Sequence, residues 1–250
     1  MAFAMVPIAQ AVGSDLGGVV IVALITLAIG LAAGLVNGFI IVYGRLQPII
    51  VTLSTSYIFT GIGMLILSKP DGQVVSGFSK MLIGTTSALH LPKSCIWMLI
   101  AIFAIWMPIR KSKFGQSVYA IGGNEYSAFV SGINLKKTKI MVYMLSGLFS
   151  SVAGILLTAQ TSIGDPTGSG NFTMNSIAAV VLGGTALSGG RGSYVGTVAG
   201  VITYSLILGL LIFSGISSFY QDMIKGMLLV LALAFNVIQR IQLKKKAAVN

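Results

Sequence analysis

From Gly17 to Tyr43 the chain carries no charged side chain. That run exceeds the roughly 20 apolar residues a helix needs to cross the hydrocarbon core of a bilayer. It does not alternate apolar and polar residues, so it does not read as a strand of a membrane barrel. The rest of the chain points the same way. Of 250 residues 55% are hydrophobic and 8% charged, against about 25% charged in a soluble domain. The expected fold is an all-α integral membrane protein, a polytopic bundle of about seven transmembrane helices, forming a single transmembrane domain over residues 1–250.

Apolar length places spans at Val19–Tyr43, Gln47–Ser68, Ser94–Ile109, Ile140–Ile163, Tyr194–Phe213 and Phe219–Gln239, with a shorter one at Asn175–Ser188. Basic residues gather in three blocks: Arg110, Lys111 and Lys113; Lys136, Lys137 and Lys139; and Arg240 with Lys244, Lys245 and Lys246. Such blocks mark cytoplasmic loops. For residues 110–139 and the tail to share a side, an even number of crossings must separate them, so the short segment crosses as well. The Gly189–Gly192 stretch then lies near the cytoplasm, the N-terminus outside, and Lys69–Lys93, with its Pro70-Asp71-Gly72 turn signal, forms the external loop. An alternative makes Asn175–Tyr194 a discontinuous or re-entrant pair, a pattern found near substrate sites in transporters.

The net charge of +11 does not indicate a nucleic-acid partner, because the basic residues flank apolar spans without interleaved aromatics. One cysteine, Cys95, leaves no internal disulfide and no cysteine-based metal cluster. Ion-driven carriers usually hold an ionisable residue in the bilayer. Here only Asp222 and Lys225 do, three apart near the outer end of the last span, where a mutual pair is expected. No GxxxxGK[ST] motif is present, so the chain has no P-loop. The sole histidine, His90, sits in the expected external loop. No catalytic residue, metal site or bound cofactor is expected.

What remains is polar and uncharged. Asn37, Thr52, Thr55, Gln160, Asn175 and Thr185 lie in spans or at their ends. Individually such side chains often bond their own helix backbone; together they suit a neutral polyhydroxylated solute such as a sugar. Residues 114–134, FGQSVYAIGGNEYSAFVSGIN, are too polar to span. Asn124 reads as the cap of a short helix ending near Gly132, with Gly122 and Gly123 making a sharp turn before it.

Three stretches carry a resemblance: QPIIVTLSTSYIFTGIG at Gln47–Gly63, KFGQSVYAIGGNEYSAFVSGIN at Lys113–Asn134 and MNSIAAVVLGGTALSGGRGSYVGTVAG at Met174–Gly200. In this order they resemble the membrane permeases of bacterial ATP-driven sugar importers of the ribose, arabinose, galactose and xylose type. Gln116 stands where that family more often has Arg, and SAFVSG replaces its usual AARLSG. Family members run longer, with a GIDLSVGS-like motif upstream that is absent here unless GSDLGG at Gly13–Gly18 is its trace. The resemblance implies a multi-pass protein of the bacterial inner membrane that translocates a pentose or hexose. Its implied partners are a second permease subunit, ATPase subunits that use ATP and Mg, and a periplasmic or lipid-anchored sugar-binding protein. It also implies that residues 114–134 couple to the ATPase through Tyr119, Ala120, Gly122, Asn124, Glu125, Ala128, Gly132 and Ile133. Permeases for nucleosides or branched-chain amino acids, and a self-sufficient carrier or channel, stand as alternatives.

Overall fold

The structure, a computed structural model, describes residues 16–71, 74, 76–84, 93–168, 170–187, 189–231 and 234. His90, the C-terminal basic block and parts of the 69–93 loop lie outside the described residues. The described elements are helical, and four helices are long and apolar enough to cross a membrane: Gly17–Gly44, Pro48–Ile66, Leu135–Thr161 and Tyr194–Phe213. They fall into two compact units, one drawn from Met1–Val118 and Phe129–Ser169, the other from Tyr119–Ala128 and Gly170–Asn250.

The first unit is built on α1 (Leu16–Gly44) and α8 (Leu135–Thr161). Between them in sequence come α2 (Pro48–Ile66), α3 (Ser76–Ile83), α4 (Lys93–Ile100), α5 (Met107–Lys111), α6 (Lys113–Gly123) and α7 (Glu125–Val130). Proline at the first turn of α2 suits a position whose N–H has no helical partner. A π-helical turn over Ala101–Trp106 joins α4 to α5. It ends two residues before Pro108, which has no N–H to donate back along the helix and whose ring crowds the preceding turn.

Because lipid is as apolar as leucine, helices in a membrane associate where small residues let their backbones approach. In α1 these are Gly30, Gly34 and Gly38, one turn apart. A Cβ on Gly30 would strike the Gly147 carbonyl and the Ser151 hydroxyl, one on Gly34 the Tyr143 carbonyl, and one on Gly38 would crowd Ile140. Position rises along α1 as it falls along α8, so the helices run antiparallel. The seam continues through buried Val19, Val22 and Thr26 on α1 and Ser151, Thr158 and Ala159 on α8. Its hydroxyls bond their own helices: Thr26 donates to the Val22 carbonyl at 2.9 Å and Thr158 to Gly154 at 2.9 Å. The outer faces of α1 and α2 carry exposed Leu24, Phe39, Ile50 and Tyr57, as lipid-facing surfaces do.

The two ends of α8 hold different structures. At its start Asn134 caps the helix, its Oδ1 accepting from the Lys137 N–H at 3.1 Å, and the Lys136 ammonium sits 5.4 Å from the centre of the Tyr43 ring. At its end lie Asp71 and Ser79 of the 69–93 segment. Asp71 and Gly164 exchange backbone hydrogen bonds of 3.2 and 3.1 Å, and the Ser79 hydroxyl donates to the Ala159 carbonyl at 2.6 Å. A 27-residue helix rises about 40 Å, so the lysine block stands a membrane's thickness from Asp71 and Ser79.

The second unit contains α9 (Gly170–Leu182), α10 (Tyr194–Phe213) and α11, described over residues 218–231. The expected short span at Asn175–Ser188 is displaced: helix begins at Gly170 and stops at Leu182, where Gly183 and Gly184 follow, Gly184 in a left-handed conformation at φ 81°. Its 13 residues rise about 20 Å. Gly183, Gly196 and Gly200 bring α9 and α10 together, since a Cβ on Gly200 would strike the Ala179 carbonyl and one on Gly183 the Gly196 carbonyl. Ala178, Ala179 and Tyr204 are buried there, with Leu208 and Leu229 packed against them.

Candidate functional site: the coupling segment and its glycine loop

The site begins with two short helices meeting at Asn124. The Asn124 N–H donates to the Ala120 carbonyl at 3.0 Å, closing α6, while its side-chain Oδ1 accepts from the Ser127 N–H at 3.0 Å and starts α7. This is the cap read from the sequence. Glu125 follows in the first turn, exposed, where a carboxylate complements the helix dipole. Ala128 is 3% exposed and seats α7, whereas Tyr126, Phe129 and Val130 are 77, 64 and 67% exposed. Gly132, at φ 80°, turns the chain after α7; Ile133 is half-buried and leads to the Asn134 cap of α8.

Gly122 and Gly123 do not make the expected turn. They are the last residues of α6, and their lack of a side chain serves close approach instead. A Cβ on Gly122 would strike the backbone nitrogen of Gly190, and one on Gly190 would lie 2.6 Å from the Gly123 backbone. The loop they meet is itself held in shape by backbone bonds. Ala186 N–H donates to the Arg191 carbonyl at 3.0 Å, and Gly189 N–H donates to the Ala186 carbonyl at 3.0 Å. Gly189 and Gly190 adopt φ of 86° and 75°, a region that side chains with a Cβ disfavour. Beside this contact the Tyr119 hydroxyl donates to the Gly192 carbonyl at 3.2 Å. One residue on, Ser193 caps α10, its hydroxyl accepting from the Gly196 N–H at 3.0 Å.

Tyr119–Ala128 is therefore joined to the loop that links α9 to α10. The two backbones meet in van der Waals contact with no side chain between them. The sequence signals the flexibility of GGRGS but not its partner; small-residue helix packing explains Gly183, Gly196 and Gly200 and leaves Gly189 and Gly190 to this loop contact.

The expected pathway residues fall in both units. Asn37, Thr52, Thr55 and Gln160 belong to the first unit, Asn175 and Thr185 to the second. Asn37, between Gly34 and Gly38 in sequence, has a buried Oδ1 with no hydrogen-bond partner. Thr52 donates to the Pro48 carbonyl at 2.9 Å and Thr55 to Thr52 at 3.2 Å, each within its own helix. Gln160 is exposed near the end of α8. Thr185 N–H donates to the Val180 carbonyl at 3.2 Å, and its side chain underlies Gly192. Asn175 alone bonds a side chain of another helix: its Oδ1 accepts from the Tyr204 hydroxyl at 2.9 Å. Tyr204 was not singled out from the sequence, although a buried tyrosine halfway along a span implies a polar partner.

Among known proteins, a ribose import permease of Bacillus subtilis is 40% identical over 200 residues, 78% of this chain and 61% of that one. A ribose import permease of Escherichia coli K12 is 37% identical over 229 residues, 90% of this chain and 70% of that one. The galactose/methyl galactoside import permease of the same organism is 36% identical over 226 residues, 87% and 67% of the two chains. The chain thus spans about two thirds of the length of these relatives. No solved structure is significantly similar. The model of the branched-chain amino acid transport system / permease component family matches residues 1–233, and the chain belongs to that family of multi-pass inner-membrane permeases.

Proposed function

We propose that the chain is the permease subunit of an ATP-driven importer that carries a pentose or hexose across the bacterial inner membrane. The observation that carries this reading is the union of Tyr119–Ala128 with Gly189–Gly192. An importer of this kind needs a rigid element that receives motion from a soluble ATPase and delivers it to membrane helices. The helix pair α6 and α7 presents exposed Tyr126, Phe129 and Val130 for such a partner, and Gly122 delivers the motion to the start of α10. The 69–93 segment and the lysine block at opposite ends of α8 suit an external face for the sugar-binding protein and a cytoplasmic face for the ATPase. The monosaccharide cargo is supported by the ribose and galactose import permeases among the relatives.

In this reading the chain is not an enzyme and binds no cofactor. ATP and Mg belong to the partner ATPase, whose closure and reopening bias the permease between two facings of its pathway. A second permease subunit completes the pathway.

The test is purification of the tagged chain from its native membrane in mild detergent, with partners identified by mass spectrometry. A P-loop ATPase should be recovered with the wild type and lost with Glu125→Pro. Gly122→Val should retain the chain in the membrane while sugar uptake fails. Recovery of the well-folded chain alone would overturn the proposal.

A further inference from the structure

In the second unit a cavity of about 270 Å³ is lined by Asn175, Tyr204, Asp222 and Lys225, with Met174 and Leu229 among its apolar walls. That is smaller than the roughly 300–1,000 Å³ of pockets for drug-sized ligands, and leaves room for one ring. Its polar groups are paired in a way that leaves further capacity. Tyr204 donates to Asn175 Oδ1 at 2.9 Å, a bond that engages neither of the two N–H donors of the asparagine amide nor the acceptor lone pairs of the phenol. Lys225 Nζ donates to Asp222 Oδ1 at 2.8 Å, using one of three ammonium hydrogens and one of two carboxylate oxygens.

Depth adds a second argument. Tyr204 stands halfway along the 20-residue α10, about 15 Å from either end, while Asp222 and Lys225 lie near the start of α11. Asp222 is 74% exposed and Lys225 23%. Charged side chains within a membrane face a water-filled cavity or another protein surface rather than acyl chains. Together with Asn175 and Tyr204 they line the cavity.

The chemistry selects the ligand. The four side chains sum to no net charge and offer donors and acceptors within one small space, which suits a solute with many hydroxyls and no charge. An ion would meet a pair already neutralised. A zwitterion would have to pull Lys225 from Asp222, whereas a hydroxyl donates to the carboxylate and accepts from the ammonium with the pair intact. The apolar walls match the C–H faces of a sugar ring. We propose that Asn175, Tyr204, Asp222 and Lys225 form a hydroxyl-binding station for a monosaccharide in the translocation path. This rests on the importer reading above.

The experiment measures uptake of D-ribose, D-galactose and their singly deoxygenated analogues by the chain assembled with its own ATPase and binding protein. Wild type is compared with Tyr204→Phe, Asp222→Asn and Asn175→Leu, the first two nearly isosteric, and co-purification of the ATPase verifies assembly of each. For one analogue the wild type should show about a tenfold loss in KM-weighted uptake, the scale of one hydrogen bond. In the variant lacking the matching side-chain group that gap should close, because sugar hydroxyl and protein group then report one interaction. Assembled variants that keep wild-type KM and the same gap for every analogue would overturn the station and leave the importer reading intact. A wild-type complex that carries no monosaccharide, or carries valine or leucine instead, would overturn the importer reading and the station with it.

Discussion

Glycine contacts occur in both units and do different work. In the seam of α1 and α8, Gly30, Gly34 and Gly38 lie under a helix over about two turns, and the hydroxyls beside them, Thr26 and Thr158, bond within their own helices. In the other unit Gly122 touches a loop, Gly189 and Gly190 take left-handed backbone, and the neighbouring hydroxyl of Tyr119 reaches a carbonyl of that loop. The first arrangement is continuous and cannot shift without unpacking. The second is a short contact between a surface segment and a glycine loop. Small residues therefore secure one pair of helices and join a surface segment to a loop elsewhere, and sequence composition alone does not separate the two uses.

Substitutions can pull these uses apart. The largest effect is expected for Gly34→Leu, whose side chain would enter the backbone of Tyr143 and Met144. Overpacking of this kind costs about 3 kcal/mol, read as a fall in the chain's unfolding midpoint in detergent and in its membrane level. Gly122→Val comes next. Its clash falls on a loop that can move aside, so membrane level and midpoint should stay near wild type while uptake falls by about an order of magnitude, equivalent to roughly 1.4 kcal/mol of lost coupling. Equal destabilisation by both variants would erase the distinction. Tyr119→Phe removes one hydroxyl from an exposed hydrogen bond, worth about 1 kcal/mol at most, and should lower ATP-dependent uptake severalfold without changing how much ATPase co-purifies.

The smallest effect concerns a loop that joins neither contact. Asp165 accepts from the Thr167 hydroxyl at 2.7 Å and from its N–H at 2.8 Å. The Thr167 hydroxyl, more than the backbone bonds, holds the carboxyl below its ordinary value. Its contribution is present above the ordinary aspartate range and is lost as pH falls through the lowered folded value. Thr167→Ala should move the Asp165 titration, followed by NMR of the carboxyl carbon, back up toward the ordinary range, with little change in stability at neutral pH.

Much of the local structure is legible in the residues. Charge-free apolar length marks α1, α2, α8 and α10 because burying a charge in lipid is so unfavourable that its absence is informative. Asn124 read correctly as a helix start, since a cap is made by groups within three residues of each other. The Asp222 and Lys225 pair follows from their spacing on one helix. Gly122 and Gly123 misread as a turn, because glycine permits a turn and a close approach equally and only the Gly190 backbone distinguishes them. The periodic glycines of GLAAGLVNG held the α1 seam in plain view; their partner on α8, a hundred residues away, was not.

The sequence by itself determined a helical membrane protein, most of its spans, the Asn124 cap and the family to which the chain belongs, since each depends on hydropathy, short-range hydrogen bonding or an ordered set of motifs. Only the tertiary structure decided that Gly122 meets Gly190, that Tyr119 reaches Gly192 and that Tyr204 joins Asn175 beside Asp222 and Lys225. Those pairings turn on how each helix is rotated about its axis. Rotation is set by packing against neighbours distant in the chain, and a surrounding of lipid, nearly as apolar as the helices themselves, writes only a weak pattern of inside and outside into the sequence.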